Sequence, residues 1–480
     1  MEDKDLLIQR LLDELSALKV LVEQQRLEIE ILRLENKMLR EEITELKKKL
    51  NKNSHNSSKP PSSDGFKKKP KNNREKTNKK SGGQKGHPGA TLNYAVPDEV
   101  VTLSVQCCLA CSEDLSQIPL FGVEKRQVHD IPPITLHVTE YQAEKKVCHC
   151  GHLNVGLFPE GVAHSIQYGP RIKGFALYLH QEQKIPYARC CSLLNDYYGS
   201  CFSEGSLFNT QCDAYKNLED IEEQIKLALL NKDVLHSDET GIVVNKLLQW
   251  LHVTSDKTLT FYYIHPKRGT IAMDEIGLLP LFKGTLVHDH LKAYFRYVEI
   301  QHALCNAHHL RELQSFEEEG QHWAKTMRQF LKEACHLVNE AHRENKTALS
   351  EEVYQSLLSH YRQIVEEGEQ ELPLATPIPG KRGRPKQPSG RNLLHRLRDY
   401  QEDVLRFMSD FNVPFTNNQA ERDLRMAKLK QKISGGFRSV QGAQMFARIA
   451  GYLSTLRKQG INIAHAMTAL CAGQPILPNF

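Results

Sequence analysis

The stretch Val234-Leu-His-Ser-Asp-Glu-Thr-Gly241 decides the fold, because an apolar run there delivers Asp238 to what reads as a strand end before Thr240-Gly241 opens a turn. A buried strand cannot hold a lone ionised Asp in its middle, but at its end, beside other acids, it can hold a cation. Leu286-Val287-His288-Asp289-His290 repeats the design, an apolar strand ending in an acid. Between the two, Leu248–Thr254 and Thr258–His265 are rich in β-branched and aromatic residues and flank a polar Ser255-Asp256-Lys257 turn. The order is strand, hairpin, helix, strand. A third acid, Glu421, falls in the first turn of a helix that Asn418 can cap. Glu239 should point away from Asp238, and Asp423 lies off the Glu421 face of its helix. Each acid alone also has an ordinary explanation: a turn cap for Asp238, a turn start for Asp289, a solvated helix residue for Glu421.

The words around the acids narrow the choice. His236-Ser-Asp-Glu-Thr-Gly241, Trp250-Leu-His-Val253, Gly284-Thr-Leu-Val-His-Asp-His290, Ala303-Leu-Cys-Asn-Ala-His-His-Leu-Arg-Glu-Leu313 and Pro414-Phe-Thr-Asn-Asn-Gln-Ala-Glu-Arg-Asp-Leu-Arg-Met426 follow one another in that order. Together they resemble the transposases of the insertion-sequence-66 family, over nearly the whole chain. The resemblance implies a ribonuclease-H-like catalytic core in which Asp238, Asp289 and Glu421 bind two magnesium (or manganese) ions. It also implies cleavage at the terminal repeats of a bacterial element and transfer of the freed 3′-hydroxyl to target DNA. Double-stranded DNA is then the partner, and helper proteins encoded by the same element are candidate partners that the chain itself does not specify. A dimeric zinc-containing DNA-binding regulator with a decayed core, and a ribonuclease-H-like nuclease without strand transfer, are the rival readings. Intact acids at all three positions argue against the first.

At 480 residues with a net charge of +5, the chain is too long for one core, and roughly 100–200 residues per domain suggests several units. The charge is concentrated. From Lys59 to Lys85 there are ten Lys/Arg, including Lys67, Lys68 and Lys69, against Asp64 and Glu75. Such a segment is either a solvated linker or a contact for DNA phosphates. The N-terminal residues lack the pattern of a secretory signal, and no run of eighteen apolar residues follows, so a cytoplasmic, nucleoid-associated protein without a membrane segment is expected. Twelve cysteines in a reducing compartment argue for metal ligands or buried thiols.

The fold class expected is multidomain α+β. Residues 1–52 form a parallel coiled coil. The 4-3 spacing runs through Ile8, Leu11, Leu15, Leu18, Val22, Gln25, Ile29, Leu32, Asn36, Leu39, Ile43, Leu46 and Leu50, with Leu at most d positions and β-branched residues sharing the a positions. A homodimer or higher homo-oligomer follows, and Asn36 at an a position would fix its register. Residues 53–92 are a basic linker too polar to fold alone, and its Lys59-Pro-Pro-Ser-Ser-Asp64 and Gly82-Gly-Gln-Lys-Gly-His-Pro-Gly89 also look like the family's N-terminal linker.

Residues 93–160 read as a zinc-ribbon-like module. Cys108-Leu-Ala-Cys111 and Cys148-His-Cys150 flank two expected strands, Gln127–Ile131 and Leu136–Ala143, and could close four thiolates on one zinc ion. The second pair is tighter than usual; Cys107, His149 and His152 are alternative ligands, and buried thiols the alternative role. The family's zinc-finger region lies at this place. Residues 161–232 are helical, with a glycine turn at Tyr198-Gly199 and Ser203 as a cap. Helix-turn-helix spacing of this kind is also common in plain bundles.

The catalytic domain spans 233–440, interrupted by an all-helical insertion at about 301–399. Its apolar stripes are Trp323, Met327, Phe330, Leu331, Ala334 and Val338, then Val353, Leu357, Tyr361, Ile364 and Val365. In its first helix, Cys305 and one His should pack inward, with His309 and Arg311 near DNA. Arg382 and Arg384, in Lys381-Arg-Gly-Arg-Pro-Lys386, form either a minor-groove hook or a basic loop. Arg422, Arg425 and Lys428 make a basic surface beside Glu421 for the DNA backbone. Residues 441–480 are a closing helical region.

Overall fold

The computed structural model describes residues 2–53, 56–57, 92–132, 134–375, 385 and 387–480. Lys67, Lys68, Lys69, Arg382 and Arg384 lie outside them. The chain divides into a larger unit, residues 1–71, 168–186 and 209–480, and a smaller one, residues 72–167 and 187–208.

Helix α1 (Glu2–Asn51) is one uninterrupted helix. Its expected seam is bare: Ile8, Leu11, Leu15, Leu18, Val22, Ile29, Leu32, Leu39, Ile43 and Leu46 are all exposed.

In the smaller unit, strands β1 (Lys145–Val147) and β2 (Leu153–Val155) pair antiparallel around the second cysteine pair. The strands expected at Gln127–Ile131 and Leu136–Ala143 are irregular instead. β-branched composition makes a strand only where there is a surface to pack on, and Val128, Ile131 and Val138 are exposed. After α2 (Pro170–Leu177) of the larger unit, α3 (Tyr187–Tyr198) ends at Gly199, whose φ of +62° suits a residue without a Cβ. The Ser206 amide donates to Ser203 Oγ at 3.1 Å, the expected cap of α4 (Glu204–Asn217).

The larger unit continues with α5 (Glu219–Leu230) and a five-stranded sheet. Its strands are β3 (Val234–Val244), β4 (Leu247–Ser255), β5 (Thr260–His265), β6 (Thr285–His288) and β7 (Gln301–Leu304), with α6 (Thr270–Ile276) between β5 and β6. The order across the sheet is β5-β4-β3-β6-β7. β3, β4 and β5 form an antiparallel meander, whereas β6 and β7 run parallel to β3. Two expectations are corrected here. Thr240-Gly241 does not open a turn: β3 runs on to Val244, and the hairpin turns at Asn245-Lys246, both with positive φ as a tight hairpin requires. The stretch 301–304 is not insertion but the fifth strand of the sheet.

The insertion proper is α7 (Asn306–Glu318), α8 (His322–Arg343), α9 (Glu351–Glu371), α10 (Ser389–Asp399) and α11 (Gln401–Ser409), so it extends beyond 399. Trp323, Met327, Phe330, Leu331 and Ala334 of α8 and Tyr361, Ile364 and Val365 of α9 bury together in a core of their own. Then come α12 (Asn418–Ser434), α13 (Val440–Lys458) and α14 (Ile463–Cys471). Alternation along the strands separates two layers. Leu235, Phe261 and Leu286 join one core with α5, α6 and α14, whereas Ile242, Val244, Leu251, Val253, Tyr262 and Ile264 pack against α12. α13 contributes to both cores, so the closing helices pack into the larger unit's sheet layers instead of forming a separate region.

Candidate active site

Asp238 sits in mid-strand, opposite Val253 of β4. It is accommodated there because β6 pairs with β3 only as far as His236, opposite Val287, leaving the edge of β3 open where Asp238 stands. Asp289 directly follows the last residue of β6, and the Leu291 amide donates to its Oδ1 at 2.9 Å. Carboxylate oxygens of Asp238, Glu239 and Asp289 all lie within 4.8 Å of one another. Burial, then the charges of Glu239, Asp289 and Glu421, push the Asp238 carboxyl well above the usual range, although the Glu239 amide donates to its Oδ1 at 2.8 Å. A set of carboxylate oxygens alone suits a hard divalent cation such as magnesium or manganese.

Glu239 does not stay away from Asp238 as strand alternation suggests. Its side chain leaves the opposite face of the sheet, but its carboxylate, wholly buried, returns to the acid cluster. There it accepts from Arg268 Nε and from the Tyr294 hydroxyl, each at 2.7 Å. Arg268 lies over the Trp250 ring and 4.0 Å from Asp289 Oδ2. Burial raises the Glu239 pKa, with Asp289 adding to it. Nothing in the spacing marked Arg268 or Tyr294; only the fold brings them to Glu239.

Glu421 arrives on the first turn of α12, and the cap is Asn417 instead of Asn418. Asn417 does not cap with its side chain but ties the helix to β3: Nδ2 donates to the Ser237 carbonyl at 2.8 Å, and Oδ1 lies 2.9 Å from His236 Nδ1. The Asn417 amide donates to Cys305 Sγ at 3.1 Å. Glu421 is grouped with Cys305 and His308, their ligand atoms lying within 4.8 Å, and not with the two aspartates. Burial pushes the Cys305 thiol up to about 11, and its sulfur is already engaged as an acceptor, which ill suits a metal-binding thiolate. The expected roles on α7 are exchanged: His309 is the buried histidine, its Nδ1 3.0 Å from Asn306 Oδ1, while His308 faces Glu421. Burial holds His308 down to about 3.

Arg425 and Lys428 follow Glu421 at helical spacing and are exposed with Arg422. Lys428 Nζ donates to the Gly241 carbonyl at 3.1 Å, so this basic surface continues along β3 beyond Asp238. Asp423 lies elsewhere, paired with Lys458 at 2.9 Å and nearly buried.

A family model described as "Transposase IS66 family" matches residues 165–445, more than half of the chain. The chain belongs to the IS66 transposase family. The match spans α2 to α12 and all three expected acids. A second model, described as a family of unknown function, matches residues 9–93 of this IS66-family chain. No curated protein matches it. No described helix is long and apolar enough to cross a membrane.

Outside the IS66 match, the four cysteines form two separate knuckles. Cys108 accepts the Ser112 amide through its carbonyl at 2.9 Å, and Cys148 accepts that of Gly151 at 2.8 Å. Backbone amides around each turn lower the Cys108 and Cys148 thiols below the ordinary range. Each knuckle thus fits half of a zinc site. Among the described residues, however, no three of these cysteines bring their sulfurs within 4.8 Å, so the pairs are not gathered around one point.

Proposed function

We propose that this IS66-family chain cleaves DNA at the ends of its element and joins the freed 3′ ends to target DNA, using Asp238, Asp289 and Glu421 on a ribonuclease-H-like core. The observation that carries the reading is the gathering of Asp238, Glu239 and Asp289, whose carboxylate oxygens lie within 4.8 Å of one another, and burial with these charges raises the Asp238 pKa. Such crowding is tolerated where a divalent cation offsets it. The meander followed by two parallel strands, with the acids on β3, after β6 and on α12, supports the ribonuclease-H-like assignment.

Divalent ions held by these acids would polarise the scissile phosphate and stabilise the attacking and leaving oxygens. In this reading Asp238 would serve both ions, and Asp289 and Glu421 one each. Glu239, whose two oxygens accept from Arg268 and Tyr294, holds those side chains in place beside the cluster. In cleavage a water oxygen bonds to phosphorus, the bond to the 3′ oxygen breaks, and that oxygen leaves with the electron pair and takes up a proton. In joining, the 3′-hydroxyl oxygen bonds to a target phosphorus and gives up its proton, while the bond to the target strand's own 3′ oxygen breaks and that oxygen leaves with the electron pair and takes up a proton. Arg422, Arg425 and Lys428 hold the DNA backbone, α1 joins two copies, and the cysteine knuckles close on zinc. The test is purified full-length protein, a labelled duplex bearing the terminal repeats and magnesium, with products sized on a gel. Cleaved and joined products that require the metal are expected; their absence overturns the reading.

A further inference from the structure

An unmet polar demand lies beside Glu421. His308 Nδ1 and Arg311 Nε are both shut off from solvent and have no hydrogen-bond partner among the described residues. Their side chains approach Glu421 Oε1 only to 4.0 Å for His308 Nδ1 and 3.9 Å for an Arg311 terminal nitrogen, beyond hydrogen-bond reach. Buried polar atoms are nearly always paired in native proteins, so two orphans one helical turn apart on α7 mark a place that a ligand atom completes.

We propose that His308 and Arg311 form the pocket for a non-bridging oxygen of the scissile phosphate; this rests on the reading of the acids given above. Three observations favour a phosphate oxygen over a cation. A guanidinium 3.9 Å from Glu421 already places positive charge there. Cys305, the third group near Glu421, is committed to the Asn417 amide. A phosphodiester approaching Asp238, Glu239, Asp289 and Glu421 is repelled unless a cation such as Arg311 receives it, and the planar fork of an arginine matches phosphate geometry, with the neutral His308 ring able to donate beside it. His308 and Arg311 each keep 23 % of their side-chain surface exposed, so a ligand can reach these side chains from solvent although Nδ1 and Nε themselves are covered. Arg425 and Lys428 extend the same cationic track along α12.

The test uses the full chain with calcium in place of magnesium, to bind DNA without cutting it. Two terminal-repeat duplexes are compared, one native and one carrying a single neutral methylphosphonate at the cleaved position. The parent should prefer the charged duplex by about tenfold, the value of one charge-assisted contact. Arg311→Ala and His308→Ala should reduce that preference, and Arg311→Lys should restore part of it. Manganese affinity, measured by calorimetry, should be kept by Arg311→Ala, since it removes no acid. Undiminished discrimination in Arg311→Ala assigns the orphan atoms to water and overturns the proposal. Loss of manganese binding in Arg311→Ala makes its role structural and overturns it equally. Asp238→Asn serves as a separate control: if it binds manganese and cleaves normally, the acid site itself has been misread, whatever Arg311 does.

Discussion

At the scale of single residues, burial and the acids around Asp238 raise its pKa, which ties its charge to stability and to the proposed chemistry. Asp238→Asn, Asp289→Asn and Glu421→Gln should each abolish cleavage while DNA binding, read by gel shift, persists. Folding raises the Asp238 pKa, so the native state holds this proton more tightly than the unfolded chain does. Metal-free stability therefore falls as pH rises from the ordinary Asp range, near pH 4, toward the folded pKa. Asp238→Asn should melt higher than the parent at neutral pH without metal, and the gap should close in acid. Added manganese should raise the melting temperature of the parent and not of the variant. Asp423 provides the contrast. Lys458 donates to it and to the Asp256 and Leu259 carbonyls, so Asp423→Asn should cost about 3 kcal/mol of stability while folded molecules still cleave. Should Asp423→Asn fold normally and be inert, the third acid has been misassigned.

At the scale of elements, the start of α12 is a joint. Asn417 binds β3 through its side chain and the loop before α7 through its amide, and Glu421 lies one turn further on. Asn417→Ala should lower cleavage roughly 10–100-fold, the loss typical when a group supporting a metal ligand is removed. Calorimetry should find manganese binding weakened in the same variant; unchanged binding and rate would show that α12 needs no such tie. Helix α1 leaves a complete heptad seam in water, and two-stranded packing of that seam is the arrangement its Leu d and β-branched a positions favour. A peptide of residues 1–52 should sediment as a dimer at micromolar concentration. In Asn36→Ile the coil should be more stable and less selective in oligomer size.

At the scale of the whole molecule, the described residues between 93 and 160 of the smaller unit are almost all exposed. Leu103, Leu120, Phe121, Val128 and Val138 are exposed, and its described sheet is two strands of three residues. A segment with so little buried surface depends on another source of order, and two amide-lined cysteine knuckles provide one if metal draws them together. Elemental analysis of the full chain should find about one zinc, and Cys108→Ser or Cys148→Ser should lose it. Zinc retained in both variants would transfer the site to other ligands.

That Asp238 falls on a strand, Asp289 just after one and Glu421 in the first turn of a helix was legible in the sequence, because apolar runs leading to Asp and a basic helix beginning with Glu are local patterns. The α1 heptads, the helical insertion and the closing helices were legible for the same reason: hydrophobic period is written residue by residue. What escaped were facts of pairing. Asp238 is a mid-strand residue because β6 stops short beside it, and 301–304 is a strand because β6 offers it an edge. Glu239 returns to the cluster because Arg268 and Tyr294, 29 and 55 residues away, hold it there. His308 and not His309 faces Glu421 because α7 packs on a core that only the folded insertion creates. Local periodicity determines which elements form; contacts between distant segments determine which side chains meet, and no single stretch encodes those.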